Sequence, residues 1–106
     1  MNLEFKEEIL LKKYMPNKSH IEGLSRFFYA FSDATRLRVV ILLLMKPLCV
    51  SDIAEMLNIN QTTISHQLKI LKSLNLVDYD RTGKNIIYYI SNSNIEQVFN
   101  SSINCI

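Results

Sequence analysis

This chain is poor in cysteine and glycine and has no long apolar run. Each shortage removes a class of protein. Two cysteines, Cys49 and Cys105, are too few for a disulfide scaffold. Two glycines leave no room for a Gly-rich phosphate-binding loop. No apolar stretch approaches the ~18 residues of a membrane span. Glu4, Glu7 and Glu8 lie among the first apolar residues, where a secretory signal would be basic. The Ser/His/Asp and Cys/His groupings of nucleophilic catalysis are missing too. No enzyme activity, catalytic residue or cofactor is expected, and the expected setting is the reducing cytoplasm, away from membrane.

What is present suits one small domain. The chain has 106 residues, 48% of them hydrophobic and 21% charged. A core of that composition still leaves much surface uncovered at this size, and pairing with a second copy would cover part of it. The net charge is only +2. Affinity for phosphate follows local charge, not the total. Between Gln61 and Lys84 the cations Lys69, Lys72, Arg81 and Lys84 face only Asp78 and Asp80, so that stretch alone carries the whole excess.

Periodicity divides the chain, with no internal repeat or interdomain linker. Residues 1–18 form an N-terminal extension, helix-like over Leu3–Tyr14 but with an untidy apolar stripe, ended by Pro16. Ser19, with Glu22 three residues on, reads as a capping box for the next helix. Ile21, Leu24, Phe28 and Phe31 recur at helical spacing within 19–31. Ser32 or Asp33 caps a third segment, in which Leu37, Val40, Ile41 and Leu44 form the expected inner stripe. Pro47 stops it. Residues 51–74 read as two helices across the turn 58–60, the second spanning Gln61–Leu74 with Ile64, Leu68 and Leu71 inward. Asn75 stands where a left-handed C-cap is expected. Residues 76–90 form a hairpin around Gly83. In 94–106, Ile95, Val98, Phe99 and Ile103 share one helical face.

The order α-α-α-α-β-β-α, mainly helical with a β-hairpin wing, is that of a winged helix-turn-helix. With Ile64, Leu68 and Leu71 facing in, Thr62, His66, Lys69 and Ser73 point out, and Gln61, Thr63 and Ser65 lie near the N-terminal end. Such donors and acceptors suit base edges and phosphates. Polar outer faces occur on every amphipathic helix; the preceding helix and the following hairpin are what favour DNA. Arg81 and Lys84 at the hairpin tip suit phosphate or a minor groove. The competing class is a winged helix that docks on protein without touching DNA.

Three segments are similar to those of the ArsR/SmtB family of bacterial winged-helix repressors. The resemblance covers roughly Ile21 to Phe99. Asp33-Ala34-Thr35-Arg36-Leu37-Arg38 resembles the family's Asp-Pro-Thr-Arg-Leu-Arg. Leu48-Cys49-Val50-Ser51-Asp52-Ile53 is similar to the Leu-Cys-Val-Cys-Asp-Leu of metal-sensing members. Ile64-Ser65-His66-Gln67-Leu68 is similar to the recognition segment Val-Ser-x-His-Leu. The resemblance implies a homodimer on a near-palindromic double-stranded operator, joined through the first and last helices. On this chain those are 19–31 and 94–106, with Ile21, Leu24, Phe28, Ile95, Val98, Phe99 and Ile103 at the interface. It also implies repression relieved by an inducer.

The family's thiolate sites use both cysteines of the second segment, and here Ser51 replaces one of them. Asn92, Ser93 and Asn94 stand near where a second family site has Asp and His. No metal site is therefore expected. Cys49 and Cys105 leave a thiol-based redox response as an alternative mechanism, against Cys49 as a small buried hydrophobe and Cys105 as a spectator near the terminus.

Overall fold

Three short polar side chains set where the central helices begin. The Asn17 side chain accepts the His20 amide, Asp33 accepts the Arg36 amide and Asn60 accepts the Thr63 amide, each at 2.8 Å. The structure, a computed structural model, describes residues 2–104 and the side chains of residues 2–100. In it these caps open α2 (Lys18–Tyr29), α3 (Ala34–Met45) and α5 (Gln61–Ser73). The other elements are α1 (Phe5–Tyr14), α4 (Val50–Leu57), β1 (Val77–Thr82), β2 (Asn85–Ile90) and α6 (Ser93–Asn104). The expected order holds from α2 onward, and the N-terminal segment adds one more helix.

One cap differs from the expectation, and at another the structure chooses between two candidates. Asn17, not Ser19, opens α2, which puts Ser19 inside the first turn. Asn and Ser cap almost equally well, so propensity does not choose between them. Asp33, not Ser32, opens α3; the Ser32 hydroxyl instead donates to the Tyr29 carbonyl at 2.8 Å.

The inner face of α3 is turned by one residue from the expected stripe. Arg36, Val39, Val40 and Leu43 are buried, while Leu37 and Leu44 are half-buried and Ile41 is exposed. The helix is apolar nearly all round, so several stripes satisfy the same period. The choice falls on the face where Arg36 finds partners.

Val39, Val40 and Leu43 of α3 meet Ile53 and Ala54 of α4 and Ile64, Leu68 and Leu71 of α5 in one core. Leu76 and Val77 close it from below. A fully buried leucine such as Leu68 contributes roughly 1.5–3 kcal/mol by removal from water. Ile95 of α6 is also completely buried in this core. This corrects the expected dimer face, since the Ile95 side chain is spent inside the protomer and is not available to a partner.

The hairpin pairs Thr82 with Asn85 around a two-residue loop. Gly83 has φ +62°, the left-handed value that the first loop residue of a type II′ turn requires. Leu48, just before α4, forms an isolated bridge with Tyr88 on the other side of β2, with N–H···O distances of 3.1 and 2.9 Å.

The N-terminal half is more open. No residue of α1 is buried, and an ion pair from Lys12 to Glu8 at 3.0 Å braces its surface. Glu7 and Glu8 in the first turn and Lys12 and Lys13 in the last suit the helix dipole. The protomer measures 62 × 30 × 20 Å with a radius of gyration of 18.1 Å, against about 13 Å for a compact chain of 100 residues.

Candidate nucleic-acid interface

A helix can be offered to a groove only if its other face is locked to the protein. Here α4 and α5 are joined by the turn 58–60, with Asn58 left-handed at φ 55° as the C-cap of α4. Ile64, Leu68 and Leu71 are wholly buried, as expected from their spacing, and Gln67 joins them on the inner face. Asn75, at φ 60°, ends the α5 region in the left-handed turn that its position predicted.

The outer face then follows. Gln61, Thr62, Ser65, His66 and Lys69 are exposed, and Thr63 is half-buried with its amide held by Asn60. Ser73, on the same side, donates its hydroxyl to the Ile70 carbonyl at 2.6 Å, so it serves its own helix. Across a groove of about 510 Å³ stands the hairpin. Ser65, His66, Lys69 and Lys72 line the helix side, and Tyr79 and Tyr88 line the hairpin side. The two tyrosine rings lie 5.5 Å apart across the strands. Arg81 and Lys84 flank the exposed tip.

The groove is basic but tempered. Lys72 Nζ lies 3.3 Å from Asp78 Oδ1 and 5.3 Å from the centre of the Tyr79 ring. Asp78 also accepts the Tyr79 amide at 2.8 Å. That amide, and then Lys72, hold its carboxyl below the ordinary carboxylate range. Among the described residues Lys69, Arg81 and Lys84 have no carboxylate partner, so their charges are open to an anion.

In the sequence Lys72 counts only toward the local charge, and Tyr79 and Tyr88 carry no interface assignment. Lys72 is three residues beyond Lys69 and so on the same helical face, a signal that was present. The tyrosines face the groove through the hairpin register, which α5 alone does not reveal.

The expected interface residues divide. Ile21, Leu24 and Phe28 on α2 are exposed, as is Val98 on α6. Phe99 is half-buried and packs edge-on to Phe31 at 5.5 Å. Phe31 meets Phe27 at 5.1 Å, and Phe27 meets Phe28 at 5.7 Å, forming a ladder of rings from α2 to α6. The Ile103 side chain and Cys105 lie outside what is described. Cys49 is partly exposed and opens α4, its Sγ 3.1 Å from Ser51 Oγ, rather than being a buried hydrophobe. Among the described residues no three His, Cys, Asp or Glu side chains converge, and no helix is long and apolar enough to cross a membrane.

Residues 33–79 match the model of the family described as bacterial regulatory protein, arsR family. The chain is 36% identical over 78 residues to the transcriptional repressor SmtB homolog of Synechocystis, covering 74% of this chain and 59% of that protein. To the cadmium resistance regulatory protein CadC of Listeria innocua it is 38% identical over 83 residues, covering 77% and 70%. This chain thus spans about three-fifths of the length of the first of these relatives. In structure it is similar to the homodimeric winged helix-turn-helix DNA-binding domain of Mb0332 from Mycobacterium bovis, with a TM-score of 0.76, 26% identity and 87% of each chain covered.

Proposed function

Because the chain belongs to the ArsR family of bacterial regulatory proteins, we propose that it is a sequence-specific DNA-binding transcription regulator, a repressor. It acts in the cytoplasm, where the chromosome is, as a homodimer on a near-palindromic operator. One observation carries the reading: an anchored helix and a hairpin face each other across a groove in which Lys69 is the open cation, with Arg81 and Lys84 open beyond it at the hairpin tip. In this arrangement α5 enters the major groove. Gln61, Thr62, Thr63, Ser65 and His66 meet base edges or adjacent phosphates, and the wing tip meets the backbone on the flank. The dimer forms through the exposed apolar residues of α2 and the outer face of α6, and its two-fold axis becomes that of the operator.

Fluorescence anisotropy on duplexes selected from a random pool tests this. Affinity should fall steeply with salt, and the selected duplex should exceed a scrambled one by 10³-fold or more, the usual order for specific sites. Flat salt dependence would return the chain to the protein-docking class.

The CadC relative is named for cadmium resistance, but the donors described here do not fit a soft-metal centre. Cys49 is a single thiol with a hydroxyl beside it, whereas such sites take three or four ligands. Cadmium, zinc or arsenite at stoichiometric concentration should therefore leave the DNA complex intact.

A further inference from the structure

Arg36 is a buried cation that none of the roles above uses. The residue is 5% exposed, and no carboxylate pairs with its side chain among the described residues. Nε donates to Gln67 Oε1 at 3.0 Å. Nη1 donates to the Tyr29 carbonyl at 3.3 Å, and the guanidinium lies 5.3 Å from the centre of the Tyr29 ring. Tyr29 is the last residue of α2, so that carbonyl belongs to the negative end of its helix dipole. It is held fast, since Ser32 donates to it through both its amide and its hydroxyl. Gln67 is the one polar residue on the buried face of α5. One planar, rigid group thus joins the end of the dimer helix to the inside of the recognition helix.

We infer that Arg36 is a positioning residue that fixes α5 relative to α2, and through the dimer sets the separation of operator half-sites this protein accepts. The inference rests on the DNA-binding reading above. In a two-fold dimer α2 sits at the axis and α5 in the groove. Recognition helices in such dimers lie about 34 Å apart, and each base pair moves a half-site by about 3.4 Å. A small change in the α2–α5 relation therefore changes which spacing fits. Apolar packing around Leu68 and Leu71 holds α5 in place but is non-directional. The two-armed hydrogen bonding of a guanidinium fixes direction as well.

The test separates positioning from stability. Arg36→Met with Gln67→Leu replaces both polar partners by apolar groups of similar size, which leaves stability near that of the wild type. Each protein is measured on the selected duplex and on versions with one central base pair added or removed. For the wild type the added or removed pair should weaken binding about tenfold, the scale of one mismatched base pair. In the folded, dimeric double variant the penalty should fall to about threefold or less on the same scale. An unchanged penalty in that variant would overturn the inference. If the double variant does not fold, Gln67→Glu, which turns the link into an ion pair, is compared with Gln67→Leu. The first should keep the spacing penalty and the second lose it, and equal penalties would overturn the strut. A wild type that selects no duplex would refute the DNA-binding reading instead. The strut is then judged without DNA, by amide hydrogen exchange of α5 at matched global stability: faster exchange in the double variant supports it and equal exchange refutes it.

Discussion

Ile53, Ile64, Leu68 and Leu71, in and around the helix-turn-helix, are closed from water, whereas Phe5, Tyr14, Phe28 and Tyr29, in the first two helices, each expose 60% or more. Both sets are large side chains of one small protein. The first set meets its neighbours within the chain, because α3, α4 and α5 cross one another and the hairpin closes the gap. Of the second set only Phe28 joins the ladder of phenylalanine rings from α2 to α6, and α1, which carries Phe5 and Tyr14, buries no residue. The difference teaches that the reading head is complete in one protomer and the N-terminal face is not. In the dimer proposed above, that face is finished by a second copy.

The contrast breaks most sharply by attacking the complete half. Leu68→Ala leaves a cavity between α5 and α3 and should cost about 2–5 kcal/mol, read as a lower midpoint in denaturant. Phe28→Asp, at a site of 62% exposure, should leave the protomer folded and weaken the dimer by about 2 kcal/mol or more. Sedimentation across a concentration series reads that shift, and an unaltered dimer would place the interface elsewhere. His66→Ala should weaken the selected operator by about 1–3 kcal/mol without changing the melting curve, if the imidazole reads a base. Arg81→Ala and Lys84→Ala should each lower the slope of log affinity against log salt by about one, alike for all sequences.

The smallest effect concerns Asp78. Its carboxyl titrates lower in the folded protein than in the unfolded chain. The stability it adds is therefore present above the unfolded value and is lost as pH falls through the folded one. Asp78→Asn should melt slightly below the wild type near neutral pH, and the gap should close in strong acid. Thermal melts from pH 7 to pH 2 measure the gap; one that widens in acid would contradict the assignment.

The recognition helix was legible because Ile64, Leu68 and Leu71 repeat at one period against a polar outer face, and because Asn60 and Asn75 punctuate its ends. The face of α3 was not legible. Its side chains are apolar on nearly every side, so the one-residue rotation was decided by Arg36, whose partner Gln67 is 31 residues away. Gln67 next to Leu68 on an inward stripe was a visible oddity; what it bonded was not. Ile95 shared its period with Phe99, and periodicity does not tell an inward stripe from one turned toward another chain. The Leu48–Tyr88 bridge involves a single residue before α4 and leaves no pattern at all.

That bridge bears on how binding would look in a calorimeter. A two-stranded hairpin by itself is at best marginal in water. Here the base of the wing is gripped from a second side by Leu48, just before α4, and residues 80–87 reach beyond that bridge as a paired hairpin. In the proposed complex the wing would therefore meet DNA already paired and bridged at its base, and no segment of it would have to fold on contact. The heat-capacity change of association should then match the area that the two surfaces hide from each other, with none of the excess that coupled folding adds.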